Sequence, residues 1–171
     1  RGMVTSPQDA LYESFLRRAV PSLIEIYQPQ DLMGVAILSI DKKGAGEGLK
    51  AGRVVAERNP IAKVVIVVDK DVDVMDRTQV LFAVGSRWQP SPAAEIIRDL
   101  MGIITDPSQP VQGRTSKIVI DATIQLPEEG GRPDFPATNR ALLEKGAPEV
   151  FAEVDRLFGT KLATWGATQT T

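Results

Sequence analysis

Ala62-Lys63-Val64-Val65-Ile66-Val67-Val68-Asp69 is a β-branched run with Asn59-Pro60 before it and Lys70-Asp71-Val72-Asp73 after it. A run of strand length that is apolar at nearly every position, not at alternate ones, predicts a strand covered on both faces, as in a parallel sheet between helices. Upstream, Gly34-Val35-Ala36-Ile37-Leu38-Ser39-Ile40 has the same character and leads through Asp41-Lys42-Lys43 into the Gly-rich turn Gly44-Ala45-Gly46-Glu47-Gly48. Between the two runs, Leu49, Val54, Val55 and Ala56 suit a helix that stops at Asn59-Pro60, because the residue before proline is driven out of helical space. Strand, helix, strand implies a right-handed parallel crossover. The expected fold is α/β, a mixed, largely parallel sheet flanked by helices.

Working outward, Ser6 can cap a helix with Pro7 at its first position, and Leu11, Phe15, Leu16 and Ala19 recur at helical spacing. Leu23-Ile24-Glu25-Ile26-Tyr27 alternates and is stopped by Pro29, which marks an edge strand. Asp76 is a suitable cap for a helix through Val80, Leu81, Ala83 and Val84, with Gly85 and Pro90 as breakers. Glu95 to Leu100 is ambiguous: Ile96, Ile97 and Leu100 fit a helical stripe, while the length fits a strand. Asp106 to Gly113 is loop by composition, and Lys117-Ile118-Val119-Ile120-Asp121 is a further strand. Irregular chain follows from Pro127 through Pro136. From Pro148 to Leu162, the residues Val150, Phe151, Val154, Leu157 and Phe158 form the apolar stripe of an amphipathic C-terminal helix, with Gly159 as its C-cap and Trp165 beyond it.

The chain has 171 residues, about one domain, with 43% apolar and 25% charged residues, which makes disorder, collagen and coiled coil poor readings. Lys and Arg number 20 against 22 Asp and Glu, and a net charge of -2 provides no field for nucleic acid or an anionic membrane. There is no Cys and no His, which removes disulfides, thiolate and imidazole metal sites, and catalytic triads. No apolar run approaches the roughly 18 residues of a membrane span, and Arg1 to Ser6 does not resemble a signal peptide, so a cytoplasmic protein is expected.

Two constellations invite chemistry. Asp69-Lys70-Asp71-Val72-Asp73, with Asp76 beyond, gathers carboxylates past a strand end, where Mg²⁺ would serve a receiver-like or phosphatase-like phosphotransfer domain. An EF-hand is excluded, because Val74 and Val80 stand where its Gly and Glu are needed. The structural alternative is that these acids are solvated, cap the next helix and pair with Lys70 or Arg77. The Gly44 to Gly48 turn resembles part of a dinucleotide fingerprint, but Leu49 takes the place of the third glycine and Glu47 puts like charge where a phosphate must bind. The few aromatics are scattered, not arrayed as a stacking platform.

Taken in order, Val65-Ile66-Val67-Val68-Asp69-Lys70-Asp71-Val72-Asp73-Val74, then Val80-Leu81-Phe82-Ala83-Val84-Gly85-Ser86-Arg87, then Asp106-Pro107-Ser108, then Ser116-Lys117-Ile118-Val119-Ile120-Asp121-Ala122-Thr123 resemble the C-terminal domain of the UbiD family of decarboxylases. Members carry a strand running into D-D-D-[IV]-D-[VP], a helix with V-L-W-A-x-x-T-R, a P-L-D-P-S-like loop and S-K-x-x-x-D-A-T. Phe82 stands for the usual Trp, Ser86 for Thr, and Ile104-Thr105 for Pro-Leu. The resemblance runs from about Gly2 to Trp165, so residues 1–165 are expected to form that domain and 166–171 a frayed tail.

The resemblance implies a reversible, non-oxidative decarboxylase of an aromatic, heteroaromatic or α,β-unsaturated carboxylic acid that uses prenylated FMN as electron sink, together with a divalent metal and K⁺. The family's Glu-Arg-Glu network, flavin phosphate site and metals lie in the preceding domain, so this chain is expected to contribute no catalytic, cofactor-binding or metal-ligating residue and to be inactive alone. Its expected partners are that catalytic domain, a small carboxylic acid, a prenyl-flavin synthase as cofactor supplier, and further copies of itself. Met101-Gly102-Ile103-Ile104-Thr105 resembles the loop that reaches the substrate in ferulic acid decarboxylase-like members. Ile103, Ile104 and Thr105, with Tyr12 or its neighbour from the entering segment, are the expected pocket residues; core packing is the alternative for Ile103 and Ile104. Val150, Phe151, Val154, Leu157 and Phe158 are the expected oligomer interface. A purely oligomerising module and a Mg²⁺-dependent phosphotransfer domain are the competing readings.

Overall fold

The β-branched runs form the middle of the sheet. A computed structural model describes residues 7–133 and 146–167. The strands are β1 (Leu23–Tyr27), β2 (Val35–Ile40), β3 (Val64–Asp69), β4 (Ala94–Met101) and β5 (Arg114–Asp121), in spatial order β1-β2-β3-β5-β4. The central β2-β3 and β3-β5 pairs are parallel, and both edge strands are antiparallel, so the sheet is mixed with a parallel centre. The helices are α1 (Pro7–Ala19), α2 (Glu47–Arg58), α3 (Arg77–Ser86) and α4 (Pro148–Ala167). The chain divides into two compact units, residues 1–133 and residues 134–171. Among the described residues no helix is long and apolar enough to cross a membrane.

Strand alternation divides the core in two. Ala36, Leu38, Ile40, Val65, Val67 and Val119 pack with Leu16 of α1 and with Ala51, Val55 and Ala56 of α2. Ile37, Val68 and Ala122 pack on the other face with Val80 and Ala83 of α3 and with Val72 and Val74 of the loop before it. Asp76 caps α3 as expected, its Oδ1 accepting from Thr78 N (2.9 Å) and Gln79 N (3.2 Å). The Ser6 cap lies outside the described residues.

Glu95 to Leu100 is strand. Asp99 sits at φ 58° in a register shift between Ile97 and Leu100, and its carboxylate holds Arg114 across the hairpin at 2.7 Å. That bulge breaks the alternation that would have identified the strand. Gly85 does not break α3, which continues to Ser86. Gly159 is not a C-cap either: α4 runs on through Trp165 to Ala167, an interior glycine being tolerated at about 1 kcal/mol in a helix of otherwise good formers.

Candidate functional site

The starts of parallel strands β2 and β3 lie side by side, so the segments before them, Met33-Gly34 and Ile61 to Lys63, share one edge of the sheet. The connection from β4 to β5 turns back over the same edge. Backbone hydrogen bonds fix Lys63 there: its N–H donates to Gly34 O (2.7 Å), and its carbonyl accepts from Ile118 N (2.8 Å). A cavity of about 230 Å³ opens between these segments, lined by Met33, Ile61, Lys63, Ile103, Thr105 and Asp106 among others.

The connection is braced from within. Gly102 N donates to Gly113 O at 3.0 Å, Gln109 Nε2 donates to Ile103 O at 2.9 Å, and Gln109 Oε1 accepts from Gly113 N at 2.6 Å. Asp106 Oδ1 accepts from Ser108 N (3.0 Å) and Ser108 Oγ (2.8 Å), while Oδ2 lies 2.9 Å from Lys63 Nζ. The Lys63 ammonium, with the Ser108 N–H and hydroxyl, holds the Asp106 carboxyl down at about 2. Loop and strand start thus form one cross-linked wall, apolar apart from a closed ion pair and Thr105.

Of the expected pocket residues, Ile103 and Thr105 line this cavity. Ile104 is 66% exposed and does not line it. Tyr12 lies on α1, packed against the core on the α2 side of the sheet, where burial pushes its phenol up to about 12; it is not among the cavity residues. The entering segment Gly2 to Thr5 lies outside the described residues. Met33, Ile61 and Lys63 were not found from the sequence. The signal for them is topological: once β2 and β3 are taken as parallel neighbours, the residues before each must share an edge.

At the opposite edge, the acidic stretch has a partner that the sequence reading did not assign. Arg87, at the end of α3, reaches back so that NH1 meets Asp69 Oδ2 (2.8 Å) and Asp71 Oδ1 (2.9 Å), and NH2 meets Asp71 Oδ2 (2.8 Å). Lys70 pairs with Asp41 at 2.9 Å and Arg77 with Asp31, so neither serves the cluster as expected. Burial pushes the Asp69 carboxyl up, against the Ile124 N–H and Arg87, which pull it down. Among the described residues no three acidic side chains converge as a metal site requires.

The S-K-x-x-x-D-A-T motif fastens α2 to the sheet. Buried Lys117 Nζ donates to Ala56 O (2.8 Å) and to Asn59 O, the carbonyls at the helix C-terminus. Asp121, at the other end of β5, lies under Gly48 at the helix N-terminus. A cation at the negative end and an anion at the positive end both complement the helix dipole. Asp121 Oδ1 accepts from Thr123 N (3.1 Å) and Thr123 Oγ (2.5 Å). Burial pushes the Asp121 carboxyl up against these bonds and nearby Lys42.

The Gly-rich turn is also already filled. Glu129 Oε1 accepts from Gly46 N (2.8 Å) and its Oε2 from Lys42 Nζ (2.6 Å) and Leu126 N (2.7 Å). Burial raises this carboxyl, but those donors outweigh it and hold it below the usual range. With Glu47 beside it and Asp121 beneath Gly48, the N-terminus of α2 faces three carboxylates and does not fit a flavin phosphate.

Comparison with known proteins gives a consistent assignment. Residues 2–122 match the family model of the 3-octaprenyl-4-hydroxybenzoate carboxy-lyase C-terminal domain, UbiD_C. The anhydromevalonate phosphate decarboxylase of Aeropyrum pernix is 32% identical over 147 residues, 82% of this chain and 33% of that protein. The phenolic acid decarboxylase of Sedimentibacter hydroxybenzoicus is 40% identical over 70 residues, 41% of this chain and 15% of that protein. The solved structure of the UbiD-class enzyme HmfF from Pelotomaculum thermopropionicum in complex with FMN superposes with a TM-score of 0.63 at 32% identity, covering 77% of this chain and 30% of that one. The chain therefore spans a third or less of the length of these relatives.

Proposed function

The chain belongs to the UbiD family, as a C-terminal domain of that family, and from that membership we propose that it supplies one wall of the substrate cleft in a reversible, non-oxidative decarboxylase acting on an aromatic, heteroaromatic or α,β-unsaturated carboxylic acid with prenylated FMN. The observation that carries this reading is the braced apolar cavity in which Ile103 and Thr105 meet Met33 and Ile61. Such a wall binds the hydrocarbon body of an acid and keeps water from it. The carboxylates Asp69 and Asp121 are committed to Arg87 and to Thr123, and the family resemblance assigns proton transfer and flavin binding to the preceding domain. The closed Arg87 cluster also weighs against Mg²⁺-dependent phosphotransfer, since a metal there would have to displace a guanidinium. Among the relatives, four are named for anhydromevalonate phosphate and one for a phenolic acid; the apolar wall favours the latter kind.

The test is the longest protein that carries this chain, co-expressed with a prenyl-flavin synthase and assayed for CO₂ release on a panel of such acids. Ile103→Ala is expected to raise KM by about tenfold, the usual effect of removing a small apolar contact, with flavin content unchanged. A protein that binds no flavin and decarboxylates no acid on the panel overturns the reading.

α4 supplies the second part of the proposal, self-association. Val150, Val154, Leu157 and Phe158 are exposed on this helix, a larger apolar stripe than solvent ordinarily faces. Phe151 shares the helix, but its side chain lies outside the described residues. These positions form the contact with a second copy of the chain. Leu157→Asp with Phe158→Asp is expected to lower the native mass to that of a monomer, and an unchanged oligomer would place the contact elsewhere.

A further inference from the structure

Of the side chains that line the cavity, Met33, Ile61, Ile103 and Pro107 are apolar. Lys63 and Asp106 are charged but already engaged: Lys63 Nζ lies 2.9 Å from Asp106 Oδ2 and donates to Ser108 Oγ, while Asp106 Oδ1 accepts from the Ser108 N–H and hydroxyl. That leaves Thr105 as the polar side chain of this wall whose hydroxyl makes no hydrogen bond among the described residues. Its place is fixed. Ile104 and Thr105 are the central residues of a turn closed by Asp106 N donating to Ile103 O (3.1 Å), and the same carbonyl accepts from Gln109 Nε2 (2.9 Å). The turn puts Ile103 and Thr105 on the cavity and leaves Ile104 off it. A β-branched side chain is stiff at χ1, so the hydroxyl is aimed before any ligand arrives. Water satisfies it while the wall is open; once a ligand covers the wall, the hydroxyl is desolvated and needs a partner on that ligand.

We propose that Thr105 is a specificity determinant of the cleft: its hydroxyl hydrogen-bonds a hydroxyl on the ring of the bound acid, so the cleft selects ring-hydroxylated acids over unsubstituted ones. The proposal rests on the reading of the cavity as a substrate wall and deepens it. Thr105 orients the body of the acid and takes no part in breaking its carboxyl bond. A threonine hydroxyl both donates and accepts, so it can meet a phenol in either sense. A wholly apolar wall would give the opposite order, because it would desolvate the ring hydroxyl and return nothing for it.

The test is calorimetric titration of the flavin-loaded full-length enzyme with 3-phenylpropanoate, 3-(3-hydroxyphenyl)propanoate and 3-(4-hydroxyphenyl)propanoate, saturated acids that lack the conjugated double bond and are bound without being consumed. One of the two hydroxylated acids is expected to bind about tenfold more tightly than the parent, the scale of one hydrogen bond. Thr105→Val, of nearly the same shape, should abolish that preference by weakening the hydroxylated acid, and Thr105→Ser should keep it. A wild type that binds neither hydroxylated acid more tightly than the parent, a preference that survives in Thr105→Val, or one that is lost in Thr105→Ser overturns the proposal while the substrate-wall reading stands. Ile103→Ala separates the two: it is expected to weaken all three acids and to keep the hydroxyl preference. If it binds all three as the wild type does, the substrate-wall reading fails and the proposal goes with it.

Discussion

Replacing Arg87 by Met is expected to lower the stability of the fold by about 3–5 kcal/mol, the range for removing one partner of a buried ion pair. The guanidinium is 2% exposed and binds the Asp69 and Asp71 side chains, themselves only 16% and 24% exposed. Methionine has nearly the length of the aliphatic stem, so packing survives and the loss isolates the charge. Asp69 would keep only the Ile124 N–H (2.7 Å) and would face Asp71 with no cation between them. Because burying a neutral cluster is often no worse than burying a paired one, Arg87→Met combined with Asp69→Asn and Asp71→Asn should recover most of the loss. Urea denaturation at pH 7 measures both, and a loss below about 1 kcal/mol, the scale of an exposed pair, would show the cluster to be solvated after all.

The pH dependence of that deficit follows from Asp69. Its carboxyl is already raised by burial, and Arg87 is one of the groups opposing the rise, so its removal raises the carboxyl further. A carboxyl whose folded value exceeds its unfolded one carries no penalty below the unfolded value, about 3.9, and a growing one as pH rises through the folded value. The deficit of Arg87→Met should therefore shrink as the solution is acidified from pH 7 toward pH 4. A deficit that stays constant between pH 7 and pH 4 would show that Arg87 does not stabilise this carboxylate in the folded state.

How much of this was legible in the sequence depended on whether the deciding partner was local. β2 and β3 declare themselves by unbroken apolar runs, and Asp76 declares the start of α3 because a cap is satisfied within its own first turn. β4 was hidden by its bulge, since a residue at φ 58° puts Ile96 and Ile97 on helix-like spacing without making a helix. The acidic stretch was legible as a cluster but not as an ion pair, for its counter-charge lies a whole helix away at Arg87. Lys117, a cation inside an apolar strand, would pass for an outward-facing residue; only the exposed carbonyls at the end of α2 explain its burial. Of the cavity, Ile103 and Thr105 came from the motif resemblance, whereas Met33 comes from the segment before β2 and Ile61 and Lys63 from the segment before β3, two stretches that only the sheet order brings together.

The same dependence on tertiary context makes glycine-to-alanine substitutions in two helices change stability in opposite directions. In α2, a Cβ on Gly48 would lie 2.2 Å from the Asp121 carboxyl, and one on Gly52 2.2 Å from Val119 Cγ1. Neither neighbour can yield easily: Asp121 is held by the Thr123 amide and hydroxyl, and Val119 is a fully buried branched side chain on a central strand. Each Ala must therefore lift α2 from β5, at about 1–3 kcal/mol apiece. Lifting the helix also draws the Ala56 and Asn59 carbonyls from Lys117, and because one displacement relieves both clashes the double variant is expected to cost less than the sum of the singles. In α3, Gly85 has nothing within 4 Å of its Cβ position, and Ala there should stabilise by about 0.5–1 kcal/mol through the helix preference alone. Thermal and urea unfolding of the four proteins (Gly48→Ala, Gly52→Ala, the double variant and Gly85→Ala) against the wild type decides it. A Gly48→Ala variant as stable as Gly85→Ala would mean that α2 does not approach the sheet as closely as the Asp121 contact requires, and that the glycines of this helix mark a flexible turn and not a packing surface.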